Sequence, residues 1–191
     1  MNKAVKIILW ILGILVSIAL IFFLLVGPMI KKGTKKHSPE VTEIYDINEL
    51  NIEVFYSSPS KKGREIFGAL VPYGEVWRTG ANEATTFTSN KDLIIEGQTL
   101  PAGEYTLWTI PDEKSWQIIF NSKMYGWGVR WQDSKAMREP AYDVVVATAV
   151  VSESITSEEN FGINILEGPG SNPVLLFSWD QVVVPLKMEK E

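Results

Sequence analysis

The segment from Val71 to Thr88 concentrates residue types that recognise polar ligands. Arg78 carries a planar guanidinium, which can bond a carboxylate, phosphate or sulfate at two points. Asn82 and Glu83 add an amide and a carboxylate a few residues later, and Thr85 adds a hydroxyl. One interpretation is the polar floor of a ligand-binding pocket. The other is structural, with Arg78 paired to Glu83 across a bend at which Asn82 adopts a left-handed conformation.

The tryptophans divide into two groups. Trp116 and Trp179 follow strand alternation, so we expect their side chains in the core. Trp127 and Trp131 lie in a glycine-bent stretch without alternation. A role lining a cleft and a role in the core both stay open for this pair. In a cleft, their apolar, electron-rich faces would suit a sugar ring or another flat ligand.

The composition excludes several kinds of active site. The chain has no cysteine, and its one histidine, His37, precedes the folded body. Histidine-based triads, thiol chemistry and the corresponding metal sites are therefore excluded in that body. No phosphate loop or dinucleotide fingerprint follows a predicted strand. We predict no cofactor, name no catalytic residue or metal ligand, and lean towards a protein that is not an enzyme.

Carboxylate chemistry survives this elimination. Glycoside hydrolysis needs two acidic side chains that flank the scissile bond. Glu83 is one candidate, with Glu75, Glu104 or Asp133 as its partner. The sequence does not select one pair, and an all-oxygen calcium site is equally compatible with it.

Charge separates the N-terminus from the rest of the chain. Residues 1–37 carry six lysines and no acidic residue, whereas the remainder carries 12 basic and 23 acidic residues. The net charge of −5 thus combines +6 with −11. Because no cationic stripe follows residue 37, we predict that nucleic acid is not a partner.

An apolar run near the N-terminus predicts a membrane segment. Residues 7–30 are long enough, at about 1.5 Å per residue, to span a hydrocarbon core of about 30 Å. A cleaved signal peptide is the rival interpretation, although its apolar region is normally shorter. Lysines flank both ends, so charge alone leaves the orientation nearly undecided, with a slight lean towards a cytoplasmic body. The predicted organisation is a tail (1–6), a transmembrane helix (7–30), a polar flexible tether (31–40) and one globular domain (41–191).

The globular domain reads as β-structure throughout. Short runs rich in Val, Ile, Thr and aromatics alternate with Gly, Pro, Asn and Asp clusters, as in sandwiches and barrels. The predicted strands are Ile52–Tyr56, Ile66–Val71, Thr85–Ser89, Leu93–Glu96, Glu104–Ile110, Trp116–Asn121, Tyr142–Ser152, Phe161–Leu166, Val174–Trp179 and Gln181–Lys187. Single helical turns are expected at Ser134–Arg138 and Ser157–Asn160. Tight hairpins are expected around Glu96-Gly97-Gln98 and Pro111–Ser115. The predicted fold class is all-β, an antiparallel, jelly-roll-like β-sandwich preceded by one transmembrane helix.

Several stretches together resemble the DUF2911 family, over about residues 52–186. They are Ser58–Arg64, Ile66–Phe87, Leu100–Tyr105, Trp108–Pro111, Trp116–Asn121 and Trp127-Gly128. The resemblance implies a β-sandwich. Because members are commonly exported by Bacteroidetes-type bacteria, it also implies a periplasmic or extracytoplasmic body in the bacterial cell envelope. It implies no activity. Many relatives start with a plain signal sequence, whereas this chain starts with an anchor-like segment.

Three functional hypotheses follow. The first is a membrane-anchored module that binds a polar ligand, a glycan or a peptide. Its predicted ligand-binding residues are Arg78, Asn82, Glu83, Thr85, Trp127 and Trp131. The second is a carboxylate-dependent hydrolase of envelope sugars, and the third is a structural or assembly role in the envelope.

Overall fold

The computed structural model describes residues 2–190, apart from the side chains of Ile30 and Lys31. These residues form two units, which divide between His37 and Ser38. The first unit is helical and consists of α1 (Lys3–Ile21), a π-helical turn (Phe22–Val26) and α2 (Gly27–His37).

The N-terminal helix meets the physical requirements of a membrane span. It extends over 35 residues, from Lys3 to His37, and at about 1.5 Å per residue it is roughly 52 Å long. Its apolar part includes the predicted segment 7–30. Both a membrane anchor and a signal sequence near an N-terminus fit this description.

The segment predicted as a flexible tether is largely helical instead. Residues 31–37 belong to α2, and residue 40 already begins the first strand. Lysine is a good helix former, so a lysine-rich stretch extends a helix that is already nucleated, even across Gly33. The helix ends at His37 because Pro39 disfavours helical geometry at Ser38.

The second unit is built from antiparallel strands, which confirms the predicted fold class. In chain order the strands are β1 (Glu40–Ile47), β2 (Leu50–Ser57), β3 (Thr86–Ser89), β4 (Leu93–Ile95), β5 (Gln98–Leu100), β6 (Gly103–Ile110), β7 (Ser115–Asn121), β8 (Asp143–Val150), β9 (Ser152–Glu167), β10 (Pro173–Lys187) and β11 (Glu189–Lys190). The main sheet has the order β1-β2-β3-β6-β7-β8. A second sheet pairs β10 with β9, and a third has the order β11-β4-β5. Strands of the main sheet neighbour each other in chain order, except that β4 and β5 leave it for the third sheet between β3 and β6.

One apolar core lies between the main sheet and the two smaller sheets. The main sheet contributes Ile52, Phe87, Leu107, Ile118 and Ala147, each fully buried. The opposing layer contributes Ile95, Ile163, Phe177 and Val184, also fully buried. Trp116 and Trp179 are 2% and 1% exposed, so the prediction that they belong to the core is confirmed.

Both predicted hairpins are present. β4 and β5 pair with Ile95 opposite Gln98. The two turn residues between them, Glu96 and Gly97, have φ of 48° and 75°. Positive φ at both positions matches the right-handed twist of the strands. β6 and β7 form the second hairpin, which closes over residues 111–114.

Other local predictions were wrong. Residues 66–71 do not form a strand, because the chain turns back at Gly68 (φ 87°) and leaves only an isolated bridge between Phe67 and Val71. Residues 157–160 belong to β9. Residues 134–138 have no regular structure apart from an isolated bridge at Ala136. The last two predicted strands are one strand, β10, whose pairing with β9 is irregular on both sides of Asp180.

The outer face of the main sheet carries a second, smaller covering. Residues 122–142, named here the Trp127 loop, connect β7 to β8. Trp108 points away from the main core, because its neighbour Leu107 points into it. Trp108 is nevertheless fully buried, and its ring lies edge-on to Tyr125 of the Trp127 loop at 5.3 Å. The loop is therefore packed against the sheet by its own aromatic contact.

Candidate functional site

The residues 71–88, named here the central segment, are anchored to the main sheet at Trp77. Its amide donates to the carbonyl of Thr109 over 2.8 Å, and the amide of Thr109 donates back over 3.0 Å. Trp77 thus continues the backbone pairing along β6 beyond the end of β3. Its ring enters the core beside Phe161 and Trp179, with centroid distances of 4.9 and 6.1 Å. This anchor fixes the position of Arg78, the next residue.

The backbone after Arg78 adopts a tight, strained bend. Thr79, Gly80 and Asn82 have φ of 58°, 150° and 57°. Positive φ is unusual for a β-branched residue such as threonine, so the surrounding contacts must hold it. A side chain at Gly80 would place its Cβ only 2.9 Å from the carbonyl oxygen of Ser57. The predicted left-handed conformation of Asn82 is present.

Arg78 connects the central segment to the Trp127 loop. Its Nη1 donates to the carbonyl of Asn82 over 2.8 Å and to the carbonyl of Trp127 over 3.0 Å. Its guanidinium also lies 5.9 Å from the centre of the Trp127 ring, within the range of a cation–π contact. Burial lowers the pKa of Arg78, and the nearby carboxylate of Glu83 opposes that shift. Arg78 is thus a half-buried cation held between two loops.

The other predicted polar residues of the central segment point into the protein. Asn82 is 7% exposed, and its Nδ2 donates to the carbonyl of Ser38 over 3.2 Å. The Thr85 hydroxyl is buried and donates to the carbonyl of Thr79 over 2.7 Å. Glu83 is half-buried and close enough to Arg78 to act on its charge. The contacts described for Asn82 and Thr85 are therefore contacts to backbone.

Trp127 and Trp131 form a stacked pair at the surface. Their ring centres are 5.8 Å apart and the rings are inclined by 16°. Trp131 is 81% exposed. Both rings line a cleft of about 530 Å³, together with Tyr125, Arg130 and Glu139. The structure thus brings three predicted residues together. Arg78 contacts Trp127, and Trp127 stacks on the exposed ring of Trp131.

The Trp127 loop is held by a buried ion pair at its far end. Arg138 forms a two-point pair with Asp143, and the Arg138 Nε to Asp143 Oδ1 distance is 3.0 Å. Asn121 Nδ2 donates to the same carboxylate over 2.8 Å. The side chains of Arg138 and Asp143 are only 13% and 11% exposed. Because the pair is largely shielded from water, breaking it should cost more than breaking a surface ion pair, and it fixes the return of the loop to β8.

Glycine lets the loop approach the sheet closely. Gly128 has φ of 75°, and a Cβ there would lie 3.2 Å from the Ala84 side chain. The amide of Ala84 donates to the carbonyl of Gly126 over 3.1 Å, so the central segment and the loop are joined by backbone as well.

A second cleft, of about 590 Å³, adjoins the first. It lies between residues 70–77 and residues 130–136, and Arg130 lines both clefts. The sequence-based prediction missed Tyr125, Arg130 and Lys135 as lining residues. A usable signal was present for the first two, because they lie in the glycine-bent stretch from Met124 to Trp131. For Lys135 the sequence offered no such signal.

Cation-binding and acid–base groups are sparse around the clefts. Within the described part of the chain, no group of three or more His, Asp or Glu side chains is arranged to hold a metal ion. Glu139 is the one carboxylate among the described residues lining the first cleft, and it pairs with Lys123.

Comparison with protein families tests the family resemblance that the sequence motifs suggested. The family model of a protein of unknown function, DUF2911, matches residues 38–188. The chain belongs to the DUF2911 family. Neither a search of curated proteins nor a search of solved structures found a match.

The family match coincides with the β-sandwich unit. It begins at Ser38, where the second unit begins, and ends at Met188, next to β11. The DUF2911 domain therefore contains the central segment, the Trp127 loop and both clefts, whereas the N-terminal helix lies outside it.

Proposed function

We propose that the DUF2911 domain is a glycan-binding module held at the membrane of a bacterial cell envelope by its N-terminal helix. The observation that carries this proposal is the Trp127–Trp131 pair, in which an indole that is 81% exposed stacks on a second indole beside a cleft.

An exposed indole face suits a sugar ring. Burying an aromatic ring contributes a large apolar area, and tryptophan is the aromatic side chain with the largest face. Sugar hydroxyls need hydrogen-bonding partners around that face, because a polar group that loses water without a partner is costly. Lys123, Arg130, Gln132 and Glu139 line the same cleft and supply donors and acceptors. The mixture of apolar face and polar rim is typical of small-ligand sites.

The predicted polar residues take supporting roles in this proposal. Arg78 orients Trp127 through the Trp127 carbonyl and ring. Asn82, Glu83 and Thr85 fix the bend that carries Arg78. Trp127 and Trp131 contact the sugar directly.

The N-terminal helix supplies the attachment. A helix with an apolar stretch of this length spans a bilayer as an uncleaved anchor. The family resemblance favours a DUF2911 domain on the periplasmic or extracytoplasmic side, where envelope glycans are found.

The experiment is calorimetric titration of the full chain in lipid nanodiscs with soluble glycans and cell-wall fragments. Nanodiscs avoid detergents with sugar head groups, which would compete for the cleft. We expect the substitution Trp131→Ala to weaken binding by about tenfold or more, because burying the surface of a large apolar side chain contributes about 1.5–3 kcal/mol.

Ile155→Ala is the matched control, because Ile155 is 99% exposed and lies outside both clefts. It should leave affinity unchanged. Wild-type protein that binds none of the glycans, or Trp131→Ala protein that binds them as tightly, contradicts the proposal.

A carboxylate-dependent hydrolase of envelope sugars is the alternative. It requires two carboxyl groups within about 5–9.5 Å of each other across a bound sugar. The first cleft offers Glu139, whose carboxylate pairs with Lys123. Glu139→Gln protein that binds a glycan while wild type cleaves it would favour the alternative over simple binding.

A further inference from the structure

The second cleft continues the first across Arg130. It has a volume of about 590 Å³ and lies between residues 70–77 and residues 130–136. Arg130 is held in place by Asp133, with an Nε to Oδ1 distance of 3.1 Å and an Nη2 to Oδ2 distance of 2.6 Å. Arg130 is thus a lining residue that the two clefts share.

The lining of the second cleft differs chemically from that of the first. Its apolar walls are Leu70, Val71, Pro72, Val76, Trp77 and Ala136. The Trp77 ring packs against Phe161 and Trp179 in the core, so this cleft has no counterpart of the exposed Trp131 among its described lining residues. A second sugar ring would find no open aromatic face there.

Two opposite charges line the second cleft without an ion pair between them. Glu75 and Lys135 both line it. In the part of the chain that the structure describes, neither side chain forms an ion pair, whereas Arg130 and Lys123 nearby both do. A ligand that carries both a carboxylate and an ammonium group can pair with these side chains without breaking an existing ion pair.

We propose that the second cleft binds a short peptide branch carried by the glycan, so that the ligand is a glycopeptide lying across Arg130. This inference rests on the proposed glycan-binding function of the first cleft. Lys135 pairs with a carboxylate of the peptide and Glu75 with an ammonium group. The apolar walls receive an aliphatic side chain. A peptide branch fits better than a longer glycan because it carries both charges and needs no aromatic platform.

The test compares two probes on the full chain in lipid nanodiscs by calorimetric titration. One probe is the disaccharide of N-acetylglucosamine and N-acetylmuramic acid. The other is the same disaccharide carrying an alanyl-glutamyl-lysine tripeptide. We expect the tripeptide to raise affinity by about tenfold through charge-assisted hydrogen bonds. The gain should shrink at high salt, because exposed charges are screened.

Two conservative variants test whether the gain in affinity comes from the second cleft. Lys135→Gln and Glu75→Gln should each remove most of it, while affinity for the bare disaccharide stays within about twofold of wild type, since additive effects are expected for separate subsites. Lys187→Gln and Glu53→Gln are matched controls at exposed positions outside both clefts, and they should keep the full gain. Thermal melting of each variant checks folding.

The other outcomes contradict the glycopeptide inference, the glycan proposal or both. Binding of the bare disaccharide with no gain from the tripeptide overturns the glycopeptide inference and leaves the glycan proposal standing. The same holds for a gain that survives both variants. A free tripeptide that binds as tightly as the glycopeptide contradicts both proposals, because the sugar then adds nothing to affinity. Binding of neither probe overturns both proposals.

Discussion

The central segment and the Trp127 loop use their conspicuous residues in opposite ways. In the central segment, Arg78 and Thr85 direct their described hydrogen bonds to backbone carbonyls. In the Trp127 loop, Trp131 projects 81% of its surface into solvent. Polar, glycine-containing sequence can therefore serve to hold a backbone in a strained shape, while the exposed aromatic group lies on the neighbouring loop.

The central segment and the Trp127 loop nevertheless hold each other in position. The strained bend at Thr79 places Arg78, and Arg78 places Trp127 through its carbonyl. Trp127 in turn supports the ring of Trp131. A rigid support of this kind lowers the conformational entropy lost when a ligand binds. Changes in the central segment should therefore alter stability first, and changes at the exposed Trp131 should alter binding alone.

The largest expected difference comes from the same substitution in each region. Trp77→Ala removes a half-buried ring that packs against the aromatic core and should lower the free energy of unfolding by about 3 kcal/mol, the low end for such truncations. Trp131→Ala removes an exposed ring and should change it by less than about 0.5 kcal/mol. Urea denaturation followed by circular dichroism measures both. Equal losses of stability would show that the Trp127 loop is as structural as the central segment.

Arg78→Ala should have the next largest effect. It leaves the carbonyls of Asn82 and Trp127 without their charged donor, at an expected cost of about 2–3 kcal/mol. Hydrogen exchange should then speed up in residues 124–131, while β8 stays protected, since the loop loses its support. Arg64→Ala is the control, because Arg64 is exposed and also donates to backbone carbonyls. If both variants are equally stable, Arg78 does not link the two regions.

A pair of glycines sharpens the comparison further. Gly80→Ala imposes a side chain at φ of 150° with its Cβ 2.9 Å from the Ser57 carbonyl oxygen, and backbone strain of this kind costs about 1–3 kcal/mol. Gly126→Ala in the Trp127 loop places its Cβ in open space without a positive φ. It should be neutral or stabilise by up to about 1 kcal/mol, because alanine restricts the unfolded chain. A destabilising Gly126→Ala would mean that the loop is under comparable strain.

Periodic patterns predicted most of the fold. Strict alternation located Trp116, Ile118 and Phe120 on one face of β7, and all three are buried. The first half of β9 escaped prediction because residues 152–160 are polar and mostly exposed, so their strand conformation depends on pairing with β10. Conversely, residues 66–71 are apolar enough for a strand, but Gly68 turns the chain and tertiary contacts override local propensity.

The candidate site was less predictable for a physical reason. Sequence shows which side chains are polar but not whether a backbone carbonyl or a ligand will satisfy them. Arg78 illustrates this limit, because its partner at Trp127 is 49 residues away. Trp131 was easier to single out, since a large indole outside any alternating strand has no evident place in a core.

The smallest expected effect is a loss of order in the Trp127 loop at low pH, when the Asp133 carboxylate becomes protonated. The backbone amide of Lys135, with help from the Arg130 side chain, holds the pKa of Asp133 below its usual value of 3.8. A depressed pKa stabilises the folded loop above the unfolded value and loses that contribution as pH falls through the folded value. Order around Arg130 should therefore persist at pH 5 and weaken only below about pH 3.8. Carboxyl NMR titration of wild-type and Arg130→Gln protein measures the pKa directly, and the variant should titrate closer to the usual value. An Asp133 that titrates at or above 3.8 in wild type would mean that Arg130 is not held between the two clefts.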